Sequence, residues 1–312
     1  MAHSHRSRHF DNKLLGDNIQ NTSRSPDDVK FVYVDIETSG FEKTADILQI
    51  AAKCGKHRFC KYVNPTQLIM PRNTISGFKN VDGKLFLNNE RVSSSPLQEV
   101  LCAFKRWLTV LSKPCILVAH NGLRFDFPFL FRALKKKSMI EDFKNLIVGF
   151  VDTLIILRKL YPERKGPGMF ELSALAEYLQ IKLPGNIHNA THDVRILEKI
   201  ASKMIITTKE TTKKILVQNM KSFTELLAHE TRLQKATVLR PSLNFLEDVI
   251  SKRMIKKLTN AGINRTKLQA IYKKSGKEGV VKFLSVKQKD NKPRVTKNKK
   301  ILEKIIDMLK PK

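Results

Sequence analysis

Two carboxylates, spaced two residues apart, interrupt an otherwise apolar, β-branched and aromatic run, Phe31-Val-Tyr-Val-Asp35-Ile-Glu37. The run reads as a strand, and successive side chains of a strand point to opposite faces, so Asp35 and Glu37 share one face. Burying an unpaired acid is costly. The fold must therefore either leave this face to solvent at a sheet edge or bring other groups to it. Ser39-Gly40 follows and permits a tight turn, which puts the pair at the end of the strand.

Further strands of a meander are expected over 47–53 and 59–63, a loop-rich stretch over 65–95, and an amphipathic helix over 97–111. The all-apolar run Cys115–Ala119 suits a buried central strand. Helices are expected near 125–138, 170–180 and 193–206, while the apolar run 146–157 fits neither period cleanly. Strands first, then helices alternating with a strand, predict an α/β fold with a mixed sheet flanked by helices. At 312 residues with 41% apolar and 28% charged side chains, the chain has material for roughly two domains and is not wholly disordered. The expected division is a flexible polar arm over 1–28, an α/β domain over 29–206 and a basic, mostly helical region over 207–312.

Charge narrows the partners. Lys and Arg number 58 against 29 acids, a net of +29, and residues 251–312 alone hold 20 basic against 4 acidic side chains. Such a field attracts polyanions and releases counterions on meeting phosphate. No amphipathic anchor accompanies it, so nucleic acid is favoured over an anionic membrane. No run approaches the ~18 apolar residues of a membrane span, and the N-terminus lacks the apolar core of a secretory signal. Cys54, Cys60, Cys102 and Cys115 lack C-x-x-C spacing and lie in apolar settings, reading as buried thiols of a reducing compartment. A soluble intracellular protein, nuclear or cytoplasmic, is the expectation.

Two more acids join the first pair. Asp126 follows a polar His120-Asn-Gly loop and opens an apolar helix, where a capping role is the simplest reading; its neighbours Phe125, Phe127 and Phe129 place it near a core that demands a partner. Asp193 occupies the first turn of another apolar helix, with His188 five positions earlier and His192 adjacent on a different flank. Four converging carboxylates repel unless divalent cations lie between them, and all-oxygen ligands suit Mg²⁺ or Mn²⁺. A pair of such ions can serve the attacking and leaving oxygens of a phosphodiester displacement, with a histidine as general base near neutral pH.

The segments Asp35-Ile-Glu37-Thr38, His120-Asn121…Phe125-Asp126 and His188-x-Ala190-x-x-Asp193 resemble, in that order, the three motifs of the DEDDh 3′→5′ exonucleases. The stretch 114–130 is similar to the three-prime repair branch of that family and to the exonuclease-like C-terminal segment of promyelocytic leukaemia protein. The resemblance covers about residues 30–205. It implies an RNase H-like fold, with Asp35, Glu37, Asp126 and Asp193 holding two Mg²⁺ or Mn²⁺ ions and His188 as general base. It also implies that Thr38 to Phe41 meet the terminal nucleotide, with Phe41 as an apolar wedge, and that Asn121 lines the scissile-phosphate side. His192 has no role in the pattern. No proline-rich insertion of the repair enzymes is evident, and a basic tail stands where they carry a membrane anchor.

In the tail, helices are expected over 247–262, 265–276, 277–286 and 301–309, either as phosphate-backbone binders or as a cap packed on the nuclease. The basic decamer 291–300 could serve as a nuclear signal. The leading expectation is a 3′→5′ exodeoxyribonuclease releasing nucleoside 5′-monophosphates from single-stranded DNA or a 3′ overhang. An RNA exonuclease and an inactive nucleic-acid-binding scaffold are the alternatives, and a homodimer is compatible with the resemblance.

Overall fold

The computed structural model describes residues 25–42, 44–69, 77–182, 190–204, 211–288 and 291–310. The chain divides into two compact units, Met1–Thr224 and Glu225–Lys312.

The first unit is built on a seven-stranded mixed sheet. Its strands are β1 (Lys30–Thr38), β2 (Ile47–Cys54), β3 (His57–Val63), β7 (Ser94–Ser95), β8 (Cys115–Ala119), β9 (Ile147–Asp152) and β10 (Lys221–Ser222), in the order β10-β9-β8-β1-β2-β3-β7. β1 runs antiparallel to β2 and parallel to β8, and β8 runs parallel to β9. Cys115–Ala119 is buried at every residue, as expected of a strand with both faces covered. The helices are α1 (Leu97–Val110), α2 (Asp126–Lys136), α3 (Ile140–Lys144), α4 (Thr153–Leu160), α5 (Leu172–Tyr178) and α6 (Ala190–Lys203). Tyr33, Ala51, Ile116 and Val118 from one sheet face share a core with Val194, Leu197 and Ile200 of α6. The same face of β1 carries Asp35 and Glu37 beyond Tyr33, so α6 delivers its own first turn to the acid pair.

Several expectations are corrected. The run 146–157 splits into β9 and α4, joined where the Asp152 carboxylate caps the Leu154 N–H at 3.0 Å. The stretch 65–95 contains a second, antiparallel sheet of β4 (Phe78–Val81), β5 (Lys84–Leu87) and β6 (Glu90–Arg91). Ser25 to Asp28 of the expected arm form a capped 3-10 turn, with the Ser25 N–H donating to Asp28 Oδ2 at 3.2 Å and Asp27 paired with Lys213 at 2.5 Å. Residues 1–24 lie outside the described residues. Cys115 is buried and Cys54 and Cys102 half-buried, but Cys60 is exposed, on a strand of which only Phe59 and Val63 are buried.

The division at Thr224 falls later than the expected 206/207 boundary. β10 pairs with β9, and the helix Thr212–Gln218 buries Ile215 and Leu216 in the first unit's core. The second unit takes in most of the helix Phe223–Leu239, the 3-10 segment Arg240–Leu246, and the helices Lys252–Asn260, Arg265–Ser285 and Lys299–Asp307. Leu246, Ile255, Leu258, Leu284 and Ile305 anchor its own core. The two helices expected to meet at residue 276 lie within Arg265–Ser285 and are separated at Gly276, whose non-helical φ of 60° and ψ of −156° suit a residue without Cβ. Among the described residues no helix is long and apolar enough to cross a membrane.

Candidate active site

The last parallel partners of β1 and β8 are Tyr33 and Val118. Beyond them β8 ends at Ala119 and the chain leaves the sheet, so the β1 edge loses its neighbour while its main-chain donors still need acceptors. Asp126, at the start of α2, supplies one: its Oδ1 accepts the Ile36 N–H at 2.9 Å. Ile36 stands between Asp35 and Glu37, so the bond holds Asp126 beside the acid pair. Asp126 is 3% exposed. Asp193, in the first turn of α6, completes the group. Carboxylate oxygens of Asp35, Glu37 and Asp193 lie within 4.8 Å of one another.

Asp126 is held in place by a loop that is itself pinned. The Asp152 carboxylate accepts the N–H groups of Asn121 at 2.9 Å and Leu123 at 3.2 Å, besides capping α4. Asn121 adopts φ 60°, a conformation that asparagine tolerates better than most residues. Gly122 packs so closely that a Cβ there would meet the Ala119 Cβ at 2.6 Å and the Phe127 ring at 2.8 Å. Asp152 went unrecognised in the sequence because it falls inside the ambiguous apolar run. The available signal was an Asp followed by Thr at a strand-to-helix join, the pattern of an N-cap.

The electrostatics follow from this crowding. Burial, then the neighbouring carboxylates of Asp126, Glu37 and Asp193, push Asp35 well above the usual carboxylate range. Burial likewise pushes Asp126 up to about 7, with the Ile36 N–H pulling it down and Glu37 and Asp152 adding to the rise. Ionised together, these groups repel one another. Closely set carboxylate oxygens are the donor set that hard divalent cations prefer, so the residues fit Mg²⁺ or Mn²⁺.

The other expected residues divide. Thr38 is buried and spends its hydroxyl on the Gly40 carbonyl at 2.7 Å, shaping the turn that follows β1. Phe41 is 71% exposed with its ring 6.0 Å from that of Phe125. His188 lies outside the described residues. His192 is buried on another flank of α6 and is not among the clustered carboxylates. His120 is a packing residue, its Nδ1 3.0 Å from Thr153 Oγ1 and its Nε2 2.7 Å from the Phe170 carbonyl oxygen, and its burial lowers its pKa.

The family model described as Exonuclease matches residues 32–201, and that for the PML C-terminal domain matches 240–312. Exonuclease DPD1, chloroplastic/mitochondrial, of Arabidopsis thaliana is 30% identical over 187 residues, 56% of this chain and 56% of that protein. A DNA polymerase III PolC-type protein of Streptococcus sanguinis is 28% identical over 214 residues, 68% of this chain and 13% of the relative. The chain thus spans between 13% and 56% of these two curated relatives. Among solved structures, E. coli Exonuclease I in complex with a dA13 oligonucleotide aligns over 60% of this chain and 42% of its own, with a TM-score of 0.48 and 18% identity.

Proposed function

The chain belongs to the exonuclease family, and from that premise we propose that it is a divalent-metal-dependent hydrolase trimming DNA from the 3′ end and releasing nucleoside 5′-monophosphates. The observation that carries this reading is the clustering of Asp35, Glu37 and Asp193 within 4.8 Å, with Asp126 tied to the strand between the first two. In this reading the four carboxylates hold two Mg²⁺ or Mn²⁺ ions. When bound, the ions supply positive charge to the attacking and leaving oxygens of the phosphodiester.

The chain's own groups do the rest. Asp126 cannot drift, because its bond to Ile36 ties it to main chain. His188, five positions before Asp193, takes the proton of the attacking water. The turn from Thr38 to Phe41 meets the terminal nucleotide, the exposed Phe41 ring offering an apolar wedge beside the last base. Asn121 lines the phosphate side. DNA over RNA is supported by the resemblance to the three-prime repair branch and by the name of the streptococcal polymerase relatives. The net charge of +29 supports a nucleic-acid partner, met in nucleus or cytoplasm.

The test is degradation of 5′-labelled oligonucleotides, single-stranded DNA, duplex DNA and RNA, with Mg²⁺ and with EDTA. A ladder shortening from the 3′ end of DNA in Mg²⁺ alone is expected. Asp193→Asn and Asp35→Ala abolish it while the circular dichroism is unchanged. Wild-type rates in either variant refute the site, and faster loss of RNA reassigns the substrate.

A further inference from the structure

The flank of α6 next to Asp193 carries a different chemistry. His192, Arg195 and Lys199 lie there at helical spacing, and with Lys53 of β2, Arg58 of β3, Lys182, Ile196 and Glu198 they line a cavity of about 320 Å³. That volume lies at the lower end of the ~300–1,000 Å³ typical of small-ligand sites. Five of the lining side chains are cations. The lone carboxylate, Glu198, is engaged by Lys53. Among the described residues, Arg58, Lys182, Arg195 and Lys199 have no ion-pair partner.

Two buried nitrogens, Arg195 Nε and His192 Nε2, make no hydrogen bond among the described residues. His192 is 9% exposed. Orphaned buried polar atoms are rare because leaving them unpaired is unfavourable. An arginine N–H can donate only, so what would satisfy Arg195 is an acceptor. Cations gathered round a concavity add that this acceptor should be anionic, and arginine is the side chain best matched to phosphate oxygens.

We propose that this cavity, separate from the four acids, binds a phosphate group through Arg58, Arg195 and Lys199. The phosphate belongs either to the backbone of a nucleic-acid strand or to a free nucleotide. The proposal stands apart from the nuclease reading, since it uses neither the carboxylates nor a metal.

The full chain is titrated in EDTA with pyrophosphate and, separately, with a fluorescein-labelled oligothymidylate. Wild type binds pyrophosphate saturably, and Arg58→Ala, Arg195→Ala and Lys199→Ala each weaken it about tenfold or more, the loss typical of a charge-assisted hydrogen bond. Arg58 and Lys199 are exposed, so their variants fold even if Arg195→Ala does not. Lys84→Ala, outside the cavity, changes nothing. If oligonucleotide affinity falls in parallel, with the salt slope reduced by about one per cation removed, the ligand is a strand phosphate. If only pyrophosphate binding falls, it is a free nucleotide. Absence of saturable pyrophosphate binding, or equal binding by all three variants, overturns the proposal. Asp193→Asn binds pyrophosphate like wild type, so failure of the nuclease reading leaves this result intact.

Discussion

Replacing Asp126 by Asn removes a buried negative charge yet keeps a side-chain oxygen for the Ile36 N–H, so it isolates electrostatics from geometry. Burial pushes the Asp126 carboxyl up to about 7, from an ordinary 3.8. A folded pKa above the unfolded one means that the native state binds the proton more tightly. The contribution is therefore fully present below about pH 4, is lost as pH rises through 7, and stays lost above. At ~1.4 kcal/mol per unit the loss is about 4 kcal/mol. In EDTA, wild type should lose about that much more stability than Asp126→Asn between pH 4 and pH 8. The readout is urea unfolding followed by the fluorescence of Trp107, the only tryptophan, packed on Phe59 and Phe104 in the first unit. Saturating Mg²⁺ should close the gap at pH 8. Parallel pH profiles for the two proteins in EDTA would show that the carboxylate is not strained by its surroundings and would refute the reasoning.

Mg²⁺ or Mn²⁺ at ten times its dissociation constant should raise the melting temperature of the first unit by about 3–6 °C for each ion bound, and a flat calorimetric response counts against a preformed site. His188→Ala should slow hydrolysis by ~10²–10⁴-fold and His192→Ala far less; the reverse order in a steady-state assay would identify the other histidine as the base. Asp152→Ala strands the N–H groups of Asn121, Leu123 and Leu154, and should cost roughly 3 kcal/mol. Asp152→Asn should recover part of that in the same unfolding assay.

The acid pair was legible because a strand's alternation admits one reading of Asp35 and Glu37, and Cys115–Ala119 because five consecutive apolar residues need cover on both faces. Asp126 was legible as a residue but not as a ligand of Ile36, since that bond depends on where β8 leaves the sheet. The run 146–157 resisted assignment because both β9 and α4 are apolar, so period alone cannot mark their join. The small second sheet was overlooked because its strands have four residues or fewer, with only Phe78 and Leu85 fully buried. Its turn at Asp82-Gly83, both with positive φ, is a readable hairpin signal. The arginines of the α6 cavity were invisible for a different reason. Charge on a basic chain reads as solvated surface until a fold encloses it.

The bond between Ile36 and Asp126 spans ninety positions of chain. A contact of that reach forms only after the sheet and α2 have met, late in any folding sequence governed by loop closure. A nascent chain, or a fragment ending before α2, therefore holds two acids on a bare strand and an unfinished site. In the nuclease proposed above, this couples competence to completion: the blade is absent until the handle is whole.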